Sequence, residues 1–174
     1  MAEKLNNKEI DSNEFYNIIE DITQNEVVQK MKLYRQHADV NCFEHCYHVS
    51  YHCYKIARKM NMEYEAVTRA AMLHDLFLYD WREKTVPRRW HAFTHGKLAC
   101  DNASKLFDLT DMEKDMIRKH MWPTTPIPPK SKEGFLLSFV DKYCAIVETG
   151  KYVFKKIYSK NIVRYASVFM GFIF

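Results

Sequence analysis

Apolar positions along this chain recur at helical spacing almost throughout, and strand-like alternation is nearly absent. Asp11-Ser12-Asn13-Glu14 reads as a helix start, with Asp11 as cap and Glu14 three residues on. Phe15, Ile18, Ile19 and Ile22 then form one face, and Asn25 opens a shorter helix through Val27, Val28, Met31 and Tyr34. From Cys42 to Met60, the residues Cys42, Val49, Cys53, Ile56 and Met60 define one apolar direction. At about 100° per residue, His45 lies roughly 60° from that direction, His52 roughly 80° and His48 roughly 120°. His45 is therefore the inward histidine of the three.

A helix from Glu63 to Leu76 follows, packed through Ala66, Val67, Ala70, Ala71 and Leu73, with His74-Asp75 at its end. Tyr79 to Trp90 breaks the periodicity and reads as a polar, aromatic loop. Thr94 then caps a helix with His95 in its first turn and Leu98, Ala99, Ala103 and Leu106 on one face. Thr110 and Glu113 make a capping box for the next helix, where Met112, Met116 and Ile117 face inward and His120 follows on the same side. Trp122-Pro123 and Pro126 stop it. Phe135 to Val147 is apolar nearly all round, which predicts a central helix.

A chain of 174 residues is expected to form one domain with a substantial core. Hydrophobic content of 47% with 28% charged residues is that of a soluble globular protein, and only four glycines predict long helices with few tight turns. The net charge of +4 permits an anionic ligand, but no long Lys/Arg run marks a nucleic-acid tail. Five cysteines without a CxxC pair, and no apolar leader after Met1, are expected of reduced thiols in a cytoplasmic protein. Cys42 and Cys46 read as small core residues. The apolar stretch Ile162 to Phe174 is shorter than the roughly 20 residues a membrane helix needs. Its expected place is against its own domain or a second subunit in a homodimer, not in a membrane.

Candidate chemistry gathers on a few residues. His74 and Asp75 can offer a nitrogen and a carboxylate oxygen to one ion, a donor pair that suits Zn, Mn or Fe. Asp141 stands on the most apolar helix and needs a cation, whereas the adjacent Lys142 is expected to diverge from it and snorkel outward. Arg88 and Arg89 in the loop match phosphate oxygens through their guanidinium forks. No Gly-rich phosphate loop or activated serine or cysteine nucleophile is present.

The ordered set His45, His74-Asp75, His95, His120, Asp141, running from about Asn41 to about Thr149, resembles the HD superfamily of metal-dependent phosphohydrolases. The two intervening histidines resemble its two-metal branches. The Gly-Tyr-Pro element of one such branch is absent, so that branch's cyclic dinucleotide substrate is not implied. The resemblance implies an all-α, single HD-domain bundle of about seven helices with a metal site at its centre. Residues 1–40 would form an N-terminal helical extension, 41–150 the HD domain and 151–174 a C-terminal helix and apolar tail. His45, His74, Asp75 and Asp141 would hold a first divalent ion (Fe, Mn, Zn or Mg), and Asp75 would bridge to a second completed by His95 and His120. His74 and Asp75 are then the catalytic candidates, and Arg88, Arg89 and Lys142 the contacts to a small phosphorylated substrate. Two alternatives stand beside hydrolysis: a di-iron oxygenase on the same ligand set, and a metal-binding regulatory module without turnover.

Overall fold

The computed structural model describes the backbone of residues 2–80 and 88–170, and the side chains of residues 12–80 and 93–159. In chain order these form α1 (Ala2–Thr23), α2 (Glu26–Gln29), a 3-10 turn (Lys30–Leu33), β1 (Arg35–His37), β2 (Val40–Asn41), α3 (Cys42–Lys59), α4 (Tyr64–Leu73), α5 (Arg88–Leu106), α6 (Asp111–Lys119) and α7 (Lys132–Met170). The fold is the all-α bundle that the sequence predicts, with seven α-helices among the described residues. Helices α3 and α4 pack on each other at its centre. Helix α1 covers α4 on one side, α6 packs on α4 and α5, and α7 lies across α3 and α6.

Local sequence explains most of the element ends. Asn41 caps α3 by accepting a 2.9 Å hydrogen bond from the Glu44 amide, and Asn25 caps α2 in the same manner. The Thr110/Glu113 capping box forms in full: the Glu113 amide donates to Thr110 Oγ1 at 3.2 Å and the Thr110 amide to Glu113 Oε2 at 2.8 Å. Helix α1 begins at Ala2, so Asp11 lies inside it rather than at its start. The preceding Glu3, Lys4, Leu5, Lys8 and Glu9 are good helix formers, and they carry the helix back past the cap signal. Glu14 instead accepts from the Tyr54 and Tyr64 hydroxyls at 2.7 and 3.0 Å, which fastens α1 to α3 and α4.

Three expectations need correction. On α3 the buried face is Cys42, His45, Cys46, Val49, Cys53, Tyr54 and Ala57, while Ile56 and Met60 are exposed. Helix α5 starts at Arg88, six residues before Thr94, so Arg88 and Arg89 belong to a helix rather than a loop. No breaker stands between Trp90 and Thr94, and a proline at position 87 favours a helix start there. Leu98 faces solvent, and the buried stripe on α5 is His95, Ala99, Cys100 and Ala103. The third correction concerns α7, which is not buried all round. Its inner face is Leu137, Val140, Asp141, Cys144 and Glu148, while Phe139, Tyr143 and Ile146 are each more than half exposed.

The only sheet among the described residues is the small hairpin β1–β2, which pairs Arg35 with Asn41 and His37 with Val40. Its turn puts Ala38 in the left-handed region at φ 52°. All five cysteines are buried free thiols. No helix among the described residues is long and apolar enough to cross a membrane.

Candidate metal centre

Two helix ends build one half of the site by the same device. His74 follows the last residue of α4 and stays helical, so its ring folds back and Nδ1 lies 2.7 Å from the Ala71 carbonyl. His120 does the same after α6, with Nδ1 2.8 Å from the Ile117 carbonyl. A carbonyl can only accept, so Nδ1 carries the hydrogen in both rings and each Nε2 is left to face the site. The chain then turns sharply: the Phe77 amide reaches the Asp75 carbonyl at 2.8 Å, and Leu78 takes a left-handed φ of 57°. Such a conformation is unfavourable for a leucine, and it falls three residues after Asp75, where this turn ends.

Helix α5 brings the third imidazole. A Cβ built at Gly96 would stand 2.8 Å from the Arg118 carbonyl oxygen, so only glycine lets α5 come this close to α6. The closeness puts His95 Nε2 at 2.9 Å from His120 Nε2 and 3.3 Å from Asp75 Oδ1. His120 Nε2 is 3.6 Å from the same Asp75 oxygen. All of these groups are buried, and among the described residues His74 Nε2 and Asp75 Oδ1 have no hydrogen-bond partner. Leaving a buried polar atom unpaired costs about 1–3 kcal/mol, and more when it is charged.

The other half of the site joins α3 to α7. His45 Nε2 is 3.0 Å from Asp141 Oδ1, and its Nδ1 is 2.9 Å from Glu148 Oε2. His48 Nδ1 reaches the other Glu148 oxygen at 3.1 Å from an exposed position. His74 connects the halves, since its Nε2 lies 3.4 Å from Asp75 Oδ2 and 3.6 Å from Asp141 Oδ1. Two sets of donor atoms therefore converge: His45, His74 and Asp141, and His74, Asp75 and His120, each within 4.8 Å of one another. Imidazole nitrogen with carboxylate oxygen suits a divalent ion such as Zn, Mn or Fe, and a cation would satisfy both orphaned atoms.

The electrostatics agree. Burial opposes charge at Asp75 and Asp141, yet the imidazoles around each hold both carboxyls well below the usual carboxylate range. Burial likewise opposes charge on His45, but Asp141 and Glu148 on either side hold its pKa up at about 10. His74 is raised well above the ordinary histidine value by Asp75 despite its burial. His120 differs: burial, with His95 and His74 as neighbours, pushes it down to about 3, so it is neutral at neutral pH. A field that holds protons on buried imidazoles is a field that favours a cation.

All six residues of the ordered His/Asp set are thus brought together in one buried cluster. The side chains of Arg88 and Arg89 lie outside the described residues. Lys142 does not point outward: its Nζ donates to the His120 carbonyl at 2.9 Å and the Ser138 carbonyl at 3.2 Å, and lies 3.7 Å from Asp141. The carbonyl end of α6 is the negative end of its dipole, and the lysine stem is long enough to reach it across α7. Three groups at the site are not marked by the sequence pattern. Glu148 orients His45; it sits two turns after Asp141 on the same face of α7, a spacing legible once the helix is carried past Val147. Gln36 on β1 donates through Nε2 to Asp75 Oδ2, and nothing in the local sequence marks it. Cys42 and Cys46 are core residues as expected, but they also touch the site. Cys42 Sγ donates to the Asp75 carbonyl at 3.2 Å, and Cys46 Sγ lies 3.6 Å from His74 Nδ1. Burial pushes both thiols up, so they stay protonated.

Compared with known families, the chain matches the HD domain over residues 42–146. No curated protein and no solved structure matches it. The matched span runs from the first residue of α3 to the middle of α7 and contains every histidine and aspartate of the two converging donor sets. With more than half of its length matched, the chain belongs to the HD-domain family, whose superfamily is one of metal-dependent phosphohydrolases that bind divalent metal.

Proposed function

We propose that this protein hydrolyses a phosphate ester of a small molecule, with one or two divalent ions held by His45, His74, Asp75, His95, His120 and Asp141. The observation that carries this reading is the buried, unpaired Asp75 Oδ1 beside the unpaired His74 Nε2, with His95 and His120 facing the same oxygen. Divalent ions bound there supply Lewis acidity at a phosphoryl oxygen and lower the pKa of water.

The chain's own residues do the rest. Asp75 is placed to be shared, since its Oδ1 faces His95 and His120 while Oδ2 faces His74 and Gln36. Glu148 holds the His45 ring through Nδ1, which leaves Nε2 to serve as a ligand. Only Asp75 and Asp141 bring negative charge among the six donors. Four neutral imidazoles and two carboxylates under-neutralise a pair of divalent ions, and the surplus positive charge favours an anionic phosphoryl group. Lys142 locks the His120 carbonyl to α7 and keeps one N–H for a substrate oxygen. Arg88 and Arg89 open α5, the helix that carries His95, and guanidinium groups there suit phosphate.

The test is turnover under defined metals. Metal-stripped protein reconstituted anaerobically with Mn is expected to release phosphate from a member of a phosphomonoester, phosphodiester and nucleotide panel. Activity that appears only with iron and stops when O₂ is removed would assign the site to oxygenation instead. Metal binding without turnover on any substrate would assign it to a regulatory module.

A further inference from the structure

The outer face of α7 carries a feature that the metal centre does not use. Phe139, Tyr143, Ile146, Gly150, Val153 and Ile157 follow one another at alternating steps of four and three residues, the 3.5-residue repeat of a coiled-coil seam. Their angular positions fall opposite the inner face of Leu137, Asp141, Cys144 and Glu148. The five seam side chains are 46–72% exposed, and every side chain from Val153 to Ser159 is exposed. An exposed helix with such a seam gains little stability by itself, because helices of this kind are stabilised by burying their apolar face.

Gly150 sharpens the picture. It has an ordinary helical φ, and a Cβ built on it would meet nothing within 4 Å. Neither backbone conformation nor packing within the chain calls for glycine at this position, which costs a helix stability relative to alanine. At the middle of a seam, however, a missing Cβ lets a second helix approach closely.

We infer that α7 pairs with α7 of a second copy of this chain, about a two-fold axis close to Gly150. The positions flanking the seam near that axis are Val147, Thr149, Phe154 and Lys156, so two identical faces can meet there with Lys156 as the one charged flank; Lys142, farther along the same flank, is engaged by the His120 carbonyl. The other lysines of this stretch, Lys151 and Lys155, fall away from the seam. With the flanking Phe154 and Tyr158, the seam exposes on the order of 900 Å², which matches the roughly 800 Å² that each partner contributes to a stable dimer. Bulky side chains at the two ends of the seam and glycine at its middle make the face complementary to itself.

Sedimentation equilibrium of the full chain at micromolar concentration tests this. The expected species is a dimer. Ile146→Glu and Gly150→Leu should each weaken it roughly thirtyfold or more, the scale of an interface hot spot, while Lys155→Glu leaves it intact. Gly150→Leu is the discriminating variant: its side chain enters open space in the single chain, so helical circular dichroism should hold or rise while dimerisation falls. A monomeric full chain overturns the proposal. So does a dimer indifferent to both seam variants, or a monomer that instead binds anionic phosphatidylserine vesicles through this face.

Discussion

The two halves of the metal centre handle buried charge in opposite ways. Where α4, α5 and α6 meet, three imidazole nitrogens crowd around one carboxylate, His74 Nε2 and Asp75 Oδ1 have no hydrogen-bond partner among the described residues, and His120 is held neutral. Where α3 meets α7, His45 lies between Asp141 and Glu148, and the two N–H groups of its imidazolium satisfy one contact each. The first half keeps two unpaired buried atoms that a cation would satisfy. The second can be closed by a proton, which an incoming ion has to displace. On the proposed function, the first half would need a metal and the second would set how tightly it is held.

Breaking the first half should have the largest effect. Asp75 faces all three of His74, His95 and His120, so Asp75→Ala should abolish nearly all binding of Mn or Zn in equilibrium dialysis. Retention of near-normal metal by that variant would mean that Asp75 is not the shared carboxylate.

The second half predicts a pH dependence for protein stripped of metal. The folded-state pKa of His45 is raised from 6.5 to about 10. Its contribution to stability is therefore fully present below pH 6.5 and is lost as pH rises through about 10. A tenfold change in proton affinity is worth about 1.4 kcal/mol, so the loss is on the order of a few kcal/mol. Thermal melts of metal-stripped protein should show Tm falling between those limits, and metal-loaded protein should show less of the fall. A flat profile would mean that His45 does not carry the proton assigned to it.

Glu148→Gln is the milder intervention, because it keeps the shape and a hydrogen-bond acceptor for Nδ1 but removes the charge. Metal affinity should drop about 10–100-fold, the usual cost of losing a carboxylate behind a metal-ligating histidine. His48→Ala, which removes the outer contact of the same carboxylate, should leave metal content unchanged. Equal losses from the two variants would shift the role from Glu148 to the pair.

The unequal legibility of the two halves has a physical origin. His74-Asp75, His95 and His120 can be found because each interrupts an apolar stripe or closes a helix, and buried polar groups in such places need partners. Asp141 stands out for the same reason. Glu148 lies just past a helix boundary drawn at Val147, and helix ends are the least certain part of a periodicity argument. Gln36 is hidden because the left-handed position of its two-residue turn is Ala38 rather than a glycine or asparagine, which leaves Asp39 alone to mark the turn. The two faces of α7 mislead in a different way. Both are apolar apart from Asp141 and Glu148, and a sequence that is hydrophobic all round looks buried whether its outer face meets its own domain or something else.

The central claim is that the six histidine and aspartate side chains form a metal centre whose second position depends on His95 and His120. Metal analysis by mass spectrometry, on protein saturated with Mn or Zn and then freed of excess by dialysis, tests it directly beside His120→Ala. Close to two ions per chain are expected in the unmodified protein and close to one in the variant. An unmodified protein that retains no metal, or a His120→Ala variant with the same stoichiometry as the unmodified chain, would contradict it.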